Sequence, residues 1–267
     1  MEKISVIIIT LNEERNIAAT INAAWRVADE IIVADSGSTD QTETICKRKG
    51  VRFIVQPWLG YGPQRNAAVA LAAHEYILVL DADEILSDTM IEELLALKGR
   101  GFSAKVYSFE RINYYFGRFM KHGMEGPEIK ARLYHRDYAN WDNKLVHEDL
   151  AFDRELHVVK LKGQILHYTY RSIEEYNLKS DKYSTLSARA YYESGKEEPG
   201  IIKLIISPAF TFVNAYFFKA GFLDGWHGWI MAKLQANYVL QKYSKLKMIY
   251  RKSNEAASHS ADQPGSI

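Results

Sequence analysis

Short apolar runs alternate with amphipathic segments along the first hundred residues. Four runs rich in valine and isoleucine, bounded by polar turns, indicate strands that are buried on both faces. These strands are predicted over residues 4–11, 30–35, 52–56 and 76–81. Helical periodicity predicts helices over residues 14–24, 41–49, 64–73 and 88–97. Because strand and helix alternate, we predict an α/β fold with a mostly parallel sheet and a ligand site beyond the carboxyl ends of its strands.

The pattern changes after about residue 100. Strand-like segments at residues 104–109, 130–134 and 158–161 predict a mixed extension of the sheet, and a helical pattern returns over 173–194. The final residues are small, polar and without periodicity, which is typical of a disordered tail. We therefore predict a main domain over residues 1–195, a helical aromatic-rich extension over 196–252 and a disordered tail over 253–267.

Composition excludes several classes of protein. The 267 residues include 34 basic and 33 acidic side chains, and a net charge of +1 argues against a general nucleic-acid binder. A single cysteine, Cys46, excludes an internal disulfide framework and fits a reducing compartment. The first residues lack the features of a secretory signal, so we expect the bulk of the protein to stay in the cytosol.

Polar clusters follow the predicted strands. They are Thr10-Leu11-Asn12-Glu13, Asp35-Ser36-Gly37-Ser38-Thr39-Asp40, Gln64-Arg65-Asn66 and Asp81-Ala82-Asp83-Glu84. Any one of them could be only a turn or a helix cap, but acidic groups gathered at one sheet edge repel one another unless a cation compensates them. In an extended segment Asp81 and Asp83 share a face, and paired carboxylates suit Mg²⁺ or Mn²⁺. The alternative for this tripeptide is a capped strand end.

The same segments resemble the family 2 glycosyltransferases. The similarity lies in residues 6–13, 33–40 and 80–83, and it continues through Arg-Leu-Tyr-His-Arg at 132–136, Val-His-Glu at 146–148 and Gly-Phe-Leu-Asp-Gly at 221–225. The later motifs resemble the lipopolysaccharide-core β-1,4-glucosyltransferase branch. The resemblance implies a GT-A (Rossmann-like) fold with a nucleotide-binding half over about 1–100 and an acceptor half over about 101–195. It also implies an inverting, metal-dependent enzyme that moves a sugar, expected to be glucose from UDP-glucose, onto a lipopolysaccharide-core or related envelope glycan.

The resemblance also assigns roles to individual residues. The nucleotide-sugar is expected to contact Thr10, Asn12, Glu13, Asp35, Ser38, Arg65 and Asp81. Within this set Asp35 would accept from the uracil N3–H, Asp81 would lie near the ribose, and Arg65 would donate to a phosphate oxygen. Asp83 would bind Mn²⁺ or Mg²⁺ on the diphosphate.

Two assignments stay open. Inversion needs a base that deprotonates the acceptor hydroxyl, and the candidates are Glu148, on which the Val-His-Glu signature ends, and Asp149, which completes an acidic pair. His167 is a candidate metal ligand because some GT-A enzymes use a late histidine. A lone histidine in an apolar strand, however, is more often a core residue.

The carboxyl-terminal segment combines apolar, aromatic and basic residues. Thirteen of the eighteen residues over 201–218 are apolar, but Lys203, Pro208 and Asn214 interrupt them. The basic residues Lys242, Lys245, Lys247, Arg251 and Lys252 follow with no acid between them. We expect this element to lie on the cytoplasmic face of the inner membrane, where a lipid-linked acceptor would be found, rather than to span the bilayer. The alternative is a helical pair that closes over the sheet or forms a dimer contact.

Two other functions compete with a transferase. A nucleotidyltransferase on a similar sheet usually carries a Gly-rich basic loop after its first strand, where this chain has Thr-Leu-Asn-Glu. A non-catalytic, membrane-associated binding protein on a decayed transferase fold should have lost some of the carboxylates, yet Asp35, Asp81, Asp83 and Glu148 are all present.

Overall fold

The computed structural model describes residues 2–142 and 149–261, with side chains as far as residue 255. Its strands, numbered along the chain, are β1 (Ile4–Thr10), β2 (Glu30–Asp35), β3 (Arg52–Val55), β4 (Tyr76–Asp81), β5 (Glu84–Leu86), β6 (Val106–Tyr115), β7 (Arg118–Phe119), β8 (Glu128–His135), β9 (Ala139–Trp141), β10 (Leu150–Phe152) and β11 (Val158–Tyr170). Its α-helices are α1 (Ile17–Trp25), α2 (Thr42–Arg48), α3 (Tyr61–Val69), α4 (Asp88–Arg100), α5 (Ile173–Glu193), α6 (Ile201–Val213) and α7 (Trp226–Ala261). A π-helical turn at Asn214–Phe218 and a 3₁₀ turn at Gly221–Asp224 lie between α6 and α7.

The chain forms two compact units. The first comprises Met1–Asn113 with Pro127–Thr169, and the second comprises Tyr114–Gly126 with Tyr170–Ile267. The predicted boundary at residue 195 therefore differs from the structure, which places α5 in the second unit. Helix α5 belongs there because it bonds to α7, where Ser184 Oγ donates to Gln241 Oε1 at 3.2 Å.

Residues 253–261, predicted to begin a disordered tail, continue α7. Polar contacts that the periodicity of apolar residues does not reveal support this part of the helix. Arg251 Nε lies 2.9 Å from Glu255 Oε1 one turn later, and the Tyr192 hydroxyl donates to Ser253 Oγ at 3.0 Å.

The main sheet has the strand order β3-β2-β1-β4-β8-β6-β11-β5. Strands β3, β2, β1 and β4 run parallel, whereas β4 with β8, β8 with β6, and β11 with β5 pair antiparallel. The predicted parallel half and its mixed extension are both confirmed. Parallel neighbours joined by helices bury both faces of the sheet, as the apolar runs predicted.

Strand β1 shows how the core of the first unit is divided. Ile4, Val6 and Ile8 pack into one apolar cluster, which includes residues of α1 and α4. Ile7 and Ile9 point to the opposite face and pack into a second cluster, which includes residues of α3. Because successive side chains of a strand point to opposite faces, the five apolar residues of this one strand fill both layers.

Several predicted elements differ at their ends, and three of them have a physical reason in the structure. Helix α1 starts at Ile17 rather than residue 14, because the Glu13 carboxylate accepts from Asn16 Nδ2 at 2.7 Å and holds a turn there. Helix α3 starts at Tyr61 rather than residue 64, since Pro63 lies in the first turn, where its missing N–H leaves no bond unmade. Strand β11 extends from the predicted residues 158–161 to Tyr170, because it has β6 and β5 as neighbours.

In the second unit a small apolar core and buried carboxylates hold the helices. Tyr115, Met120, Tyr176 and Met231 form the core. The Asp224 carboxylate is fully buried and accepts from two backbone N–H groups of residues 121 and 122, at 2.9 and 2.7 Å. These bonds fix the 3₁₀ turn within the unit, so Asp224 has a structural role.

The basic residues of α7 are largely paired inside this unit. Lys245 Nζ donates to the Asp181 carboxylate at 2.7 Å, and Lys247 Nζ donates to Glu198 at 2.8 Å. Lys242 Nζ lies 3.4 Å from the Tyr191 hydroxyl. The absence of acids along the sequence therefore did not indicate a free basic surface, because the acids come from other segments.

Helix α6 differs from every other helix in its exposure. None of its thirteen residues is buried. The span Ile201–Phe218 has a mean hydropathy of 1.6, and within the described part of the chain it alone has the length and composition of a membrane-crossing helix. Length and composition are weak grounds for a crossing, and Pro208 removes one backbone donor within the helix.

Candidate active site

The strand register brings the predicted site residues to one edge of the sheet. Thr10 at the end of β1 pairs with Asp35 at the end of β2, and Ile9 pairs with Asp81 at the end of β4. Parallel neighbours in this register end together, so the polar loops that follow them lie side by side. The sequence prediction of a shared polar edge is confirmed for these three strands.

The loops after β1 and β2 are joined by side-chain hydrogen bonds. Asn12 adopts a positive φ of 54°, which asparagine tolerates better than most residues. Its Oδ1 accepts from the Thr39 N–H at 2.8 Å, while its own N–H donates to Ser38 Oγ at 2.7 Å. Glu13 follows, and its N–H donates to Thr42 Oγ1 at 2.9 Å. The predicted nucleotide residues Asn12, Glu13 and Ser38 thus form one ordered surface.

Asp35 organises its own loop. Its Oδ2 accepts from the N–H groups of Gly37 and Ser38 at 2.9 and 2.7 Å, and Oδ1 accepts from the Ser38 hydroxyl. Only 2% of the residue is exposed. Thr10 is also buried, and its Oγ1 has no hydrogen-bond partner among the described residues. The contact of Asp35 with uracil stays a prediction, and the structure gives Asp35 a second role that the sequence did not indicate.

Asp81 is held between two arginines. Arg65 Nη2 of α3 donates to Asp81 Oδ1 at 2.7 Å, and Arg132 Nη2 of β8 donates to Asp81 Oδ2 at 3.2 Å. Burial would raise the pKa of Asp81, but the charges of Arg65 and Arg132 hold it well below its usual range. Asp81 is therefore an anion that fixes two cations, one of which, Arg132, was not among the predicted site residues.

Asp83 has a different partner from Asp81. The predicted extended geometry of the Asp-Ala-Asp segment is wrong, because β4 ends at Asp81 and residues 82 and 83 form a turn into β5. The pairing of β5 with β11 then sets Glu84 opposite His167. As a result Asp83 Oδ2 lies 3.3 Å from His167 Nε2. The spacing in the sequence predicted that both carboxylates reach one point. In the structure Asp81 bonds to two arginines, whereas Asp83 lies beside His167.

His167 is oriented by a second hydrogen bond. Its Nδ1 lies 2.7 Å from Asn113 Oδ1, and the Thr169 hydroxyl is 3.1 Å from the same nitrogen. With Nδ1–H donating to Asn113, Nε2 points to Asp83. Burial disfavours the charged ring, but the bond and charge of Asp83 outweigh it and raise the pKa of His167. His167 is a largely buried histidine with polar partners, which agrees both with a metal ligand and with a satisfied core residue.

The pair of Asp83 and His167 fits a divalent cation. A carboxylate oxygen and an imidazole nitrogen are both ligands of Mn²⁺, and the outer nitrogen of a ligating histidine is usually held by an oxygen, as Asn113 holds this one. The described residues contain no group of three or more histidine, cysteine or acidic side chains suited to a metal. Two protein ligands leave coordination positions for phosphate oxygens and water, as Mg²⁺ sites in phosphoryl-binding enzymes do.

Glu84 is a site residue that the sequence analysis missed. It is fully buried, its Oε2 accepts from the Asp81 N–H at 3.0 Å, and Arg111 Nη1 lies 3.2 Å from its Oε1. Arg132 Nη2 lies 3.5 Å from the same oxygen, and Arg111 continues to Glu128 at 3.1 Å. The signal was present, since Glu84 completes the quoted acidic cluster, but no pattern distinguishes a buried carboxylate from a solvated one.

The Trp141 ring packs against two arginines of the site. The guanidinium carbons of Arg65 and Arg132 lie 4.5 and 5.2 Å from its ring centroid. Its backbone is tied to α3, because Asn66 Nδ2 donates to the Trp141 carbonyl at 2.8 Å. Gly62 permits this approach, since a Cβ there would lie 1.8 Å from the Asp142 carbonyl oxygen. The tryptophan is therefore packed in the core, where it belongs to the second apolar cluster.

A cavity of about 410 Å³ opens beside Asp81. Its described lining includes the cations Arg65, Arg111, Lys130 and Arg132. Asp149, one of the two candidate bases, also lines it. Glu148 and His147 lie outside the described residues, so the choice between Glu148 and Asp149 stays open.

Comparison with known proteins gives the family. The family model described as glycosyl transferase family 2 matches residues 5–154. An uncharacterised glycosyltransferase of Rickettsia typhi is 31% identical over 263 residues, covering 95% of this chain and 89% of that protein. The lipopolysaccharide core biosynthesis glycosyltransferase LpsC of Rhizobium meliloti is 30% identical over 254 residues, covering 90% and 93%.

Two solved structures are also similar. Glucosyl-3-phosphoglycerate synthase from Mycobacterium tuberculosis, in complex with Mn²⁺, uridine diphosphate and phosphoglyceric acid, is 26% identical with a TM-score of 0.35; the match covers 41% of this chain and 43% of that one. S. aureus TarS 1–349 is 15% identical with a TM-score of 0.43, covering 94% and 92%.

The chain belongs to glycosyltransferase family 2. Family membership and the sheet order together confirm the predicted GT-A-type α/β fold with carboxyl-terminal helices. They also set aside the nucleotidyltransferase alternative. The protein is a glycosyltransferase whose first unit carries most of the residues that the family model covers.

Proposed function

We propose that the protein transfers a sugar, with inversion, from a UDP-sugar to a glycan of the cell envelope. The observation that carries this proposal is the pair of clusters at the end of β4, with Asp81 between two arginines and Asp83 beside His167. One cluster is cationic around a fixed carboxylate and the other suits a metal. A nucleoside diphosphate is the leaving group that such a combination stabilises.

The reaction is a direct displacement. The acceptor hydroxyl oxygen bonds to C1 of the donor sugar, the bond from C1 to the diphosphate oxygen breaks, and the hydroxyl proton passes to a carboxylate, Asp149 or Glu148. Arg65 orients the departing diphosphate, while Asp83 and His167 would hold Mn²⁺ or Mg²⁺. When bound, the metal offsets the charge that develops on the diphosphate.

The acceptor class is proposed from a relative. LpsC, to which this chain is 30% identical along most of both lengths, is named for lipopolysaccharide core biosynthesis. We propose a lipopolysaccharide-core or related glycan as acceptor and glucose as the sugar. The donor is expected to be a uridine nucleotide because the carboxylate of Asp35 complements the N3–H of uracil.

Calorimetric titration of UDP, with and without Mn²⁺, tests the donor site. Binding that requires both Mn²⁺ and Asp83 supports the proposal, so Asp83→Ala should lose the metal-dependent part of the affinity. Asn113→Ala should weaken Mn²⁺ binding by about 10- to 100-fold, as loss of an outer-shell partner does, and His167→Ala, which removes a ligand, should weaken it at least as much. Asp88→Asn is the matched control, because Asp88 is an exposed acid in the first turn of α4. Failure of the wild type to bind any UDP would favour the decayed, non-catalytic alternative.

We further propose that α6 and the turns after it lie in the cytoplasmic interface of the inner membrane. Ile201, Ile202, Ile205, Ile206, Phe210, Phe217, Phe218, Trp226 and Trp229 are exposed. An exposed apolar face bordered by tryptophans matches the composition of interfacial helices. Since the basic residues of α7 are paired internally, apolar insertion carries this proposal more than charge does.

Co-sedimentation with vesicles of phosphatidylethanolamine and phosphatidylglycerol tests this attachment. Burying a Phe or Ile side chain in lipid contributes roughly 1.5–3 kcal/mol, so Phe210→Asp and Ile206→Asp should each lower the bound fraction at least tenfold. Leu178→Asp is the control, because Leu178 is as exposed but lies on α5. Equal losses in all three variants would contradict a specific role for α6.

A further inference from the structure

The cavity beside Asp81 has an excess of cations over the carboxylates that its described lining provides. Arg65, Arg111, Lys130 and Arg132 line it, against Asp81 and Asp149. Two of these cations, Arg111 and Arg132, come from neighbouring antiparallel strands β6 and β8, and Lys130 lies two residues before Arg132 on β8. The register of β6 with β8 shifts at Arg132, between Ala131 and Leu133, and both Lys130 and Arg132 line the cavity.

Arg132 has bonding capacity left over. Its side chain is 6% exposed, and among the described residues Nη2 pairs with the carboxylates of Asp81 and Glu84. Its Nε and Nη1 are buried and have no hydrogen-bond partner among the described residues, and the same holds for Nε of Arg111. Buried guanidinium donors that are left unpaired cost free energy, and an anion that accepts from them removes that cost.

The remaining carboxylates, Glu84 and Glu128, equal this excess in number, but neither belongs to the described lining of the cavity. Glu84 is fully buried and pairs with Arg111 and Arg132, while Glu128 bonds to Lys130 and Arg111. Lys130 keeps about a third of its side chain exposed. The described lining of the cavity, which includes Asp149, therefore holds more cations than carboxylates.

We infer that the acceptor carries an acidic group, a phosphate or a carboxylate, and that Arg132, Arg111 and Lys130 bind it in this cavity. The inference rests on the proposed function, because it assigns the substrate class of the same site. Arg65 bonds to Asp81, whereas Arg111 and Lys130 bond to Glu128. An anionic group bound there would hold the neighbouring sugar hydroxyl next to the carboxylate base.

The kinetic test uses a bacterial core glycolipid fraction in three forms, untreated, dephosphorylated with hydrogen fluoride, and with its carboxylates amidated. With UDP-glucose and Mn²⁺, transfer to the untreated acceptor should exceed transfer to one of the two modified forms at least tenfold, and that form identifies the anion. Lys130→Gln should raise KM for the untreated acceptor roughly five- to tenfold, as loss of a charge-assisted bond does, without changing the affinity for UDP. Lys160→Gln, an exposed lysine on β11 paired with Glu110, is the matched control.

Equal transfer to all three acceptor forms, or a KM that Lys130→Gln leaves unchanged, overturns the inference while the transferase stands. A weaker affinity of Lys130→Gln for UDP also overturns it, since the cations would then serve the donor diphosphate. Arg132→Lys, which keeps the charge beside Asp81, should show the same change in acceptor KM as Lys130→Gln.

Direct anion binding separates this inference from the proposed function. Titration of inorganic phosphate, followed by ³¹P line broadening, should show binding to the wild type and to Lys160→Gln that Lys130→Gln weakens severalfold. If the protein binds no UDP but binds phosphate in this way, the proposed function fails and the anion site stands. If phosphate broadening is the same in all variants, the anion site fails whatever the donor result.

Discussion

Removing the charge of Glu84 should destabilise the first unit more than removing any exposed acid does. Glu84 is fully buried and lies against Arg111 and Arg132, at 3.2 and 3.5 Å. Removing one partner of a buried ion pair costs about 3–5 kcal/mol, because the other charge is left uncompensated. Glu84→Gln keeps an acceptor for the Asp81 N–H, a bond worth about 1 kcal/mol. We therefore expect the free energy of unfolding to fall by about 2–4 kcal/mol, because the retained hydrogen bond offsets part of the cost of breaking the ion pair.

Urea unfolding followed by circular dichroism measures this loss, and the m-value should stay unchanged. In thermal unfolding the melting temperature should fall by roughly 5–15 °C, given about 2–4 °C per kcal/mol for chains of this size. Glu110→Gln is the control, because Glu110 is partly exposed and its ion pair with Lys160 is long, at 3.7 Å. Surface substitutions usually change the free energy of unfolding by less than about 0.5 kcal/mol. If the losses for Glu84→Gln and Glu110→Gln differ by less than that, Glu84 does not stabilise the arginine cluster.

Three further outcomes are expected. Gly62→Ala should lower the melting temperature and weaken donor binding, because its Cβ would lie 1.8 Å from the Asp142 carbonyl oxygen, whereas Gly99→Ala, with nothing within 4 Å, should leave both unchanged or slightly raise stability. Burial raises the pKa of Cys46 to about 12, so iodoacetamide at pH 8 should label the native protein far more slowly than the urea-unfolded chain; equal rates would refute its burial. Burial raises the pKa of Glu128 but its hydrogen bonds and neighbouring cations lower it to about 2, from 4.5. The stability difference between wild type and Glu128→Gln should therefore be complete above pH 4.5 and vanish as the pH falls to about 2 in acid titrations.

Local patterns in the sequence predicted the parallel half of the fold closely. Strands β2 and β4 begin and end where the apolar runs do, and α4 begins at the residue after its cap, Ser87, whose Oγ accepts from the Met90 N–H. Such features depend on residues a few positions apart. The polar edge followed as well, since parallel strands in one sheet bring their carboxyl ends together.

The metal pair and the arginine cluster could not be predicted in the same way. Asp83 and His167 meet only because β5 pairs with β11, and the sequence analysis assigned no strand to either segment in full. Arg132 lies on a strand whose alternation is also compatible with an exposed arginine. Its burial on Asp81 depends on the position of β8 beside β4, which is a long-range contact.

For the carboxyl-terminal helices the sequence suggested a feature that the structure does not show. The basic residues of α7 suggested a charged surface because no acid lies near them in the chain, yet Asp181 and Glu198 reach them from other segments. Composition along one helix cannot reveal a partner on another. The apolar, aromatic composition of α6 led to the expectation of an interfacial element, and none of its residues is buried in the structure.

The hydrogen bonds between the loops after β1 and β2 affect the kinetics of donor binding. Asn12, Glu13 and Glu14 bond across to Ser38, Thr42 and Asp40. A loop that is already ordered loses little conformational entropy when a ligand arrives, so more of the contact energy remains as affinity. Donor capture by this edge should therefore occur in a single step, with an observed rate that rises linearly with donor concentration. Ordering of loops after binding would instead make that rate level off.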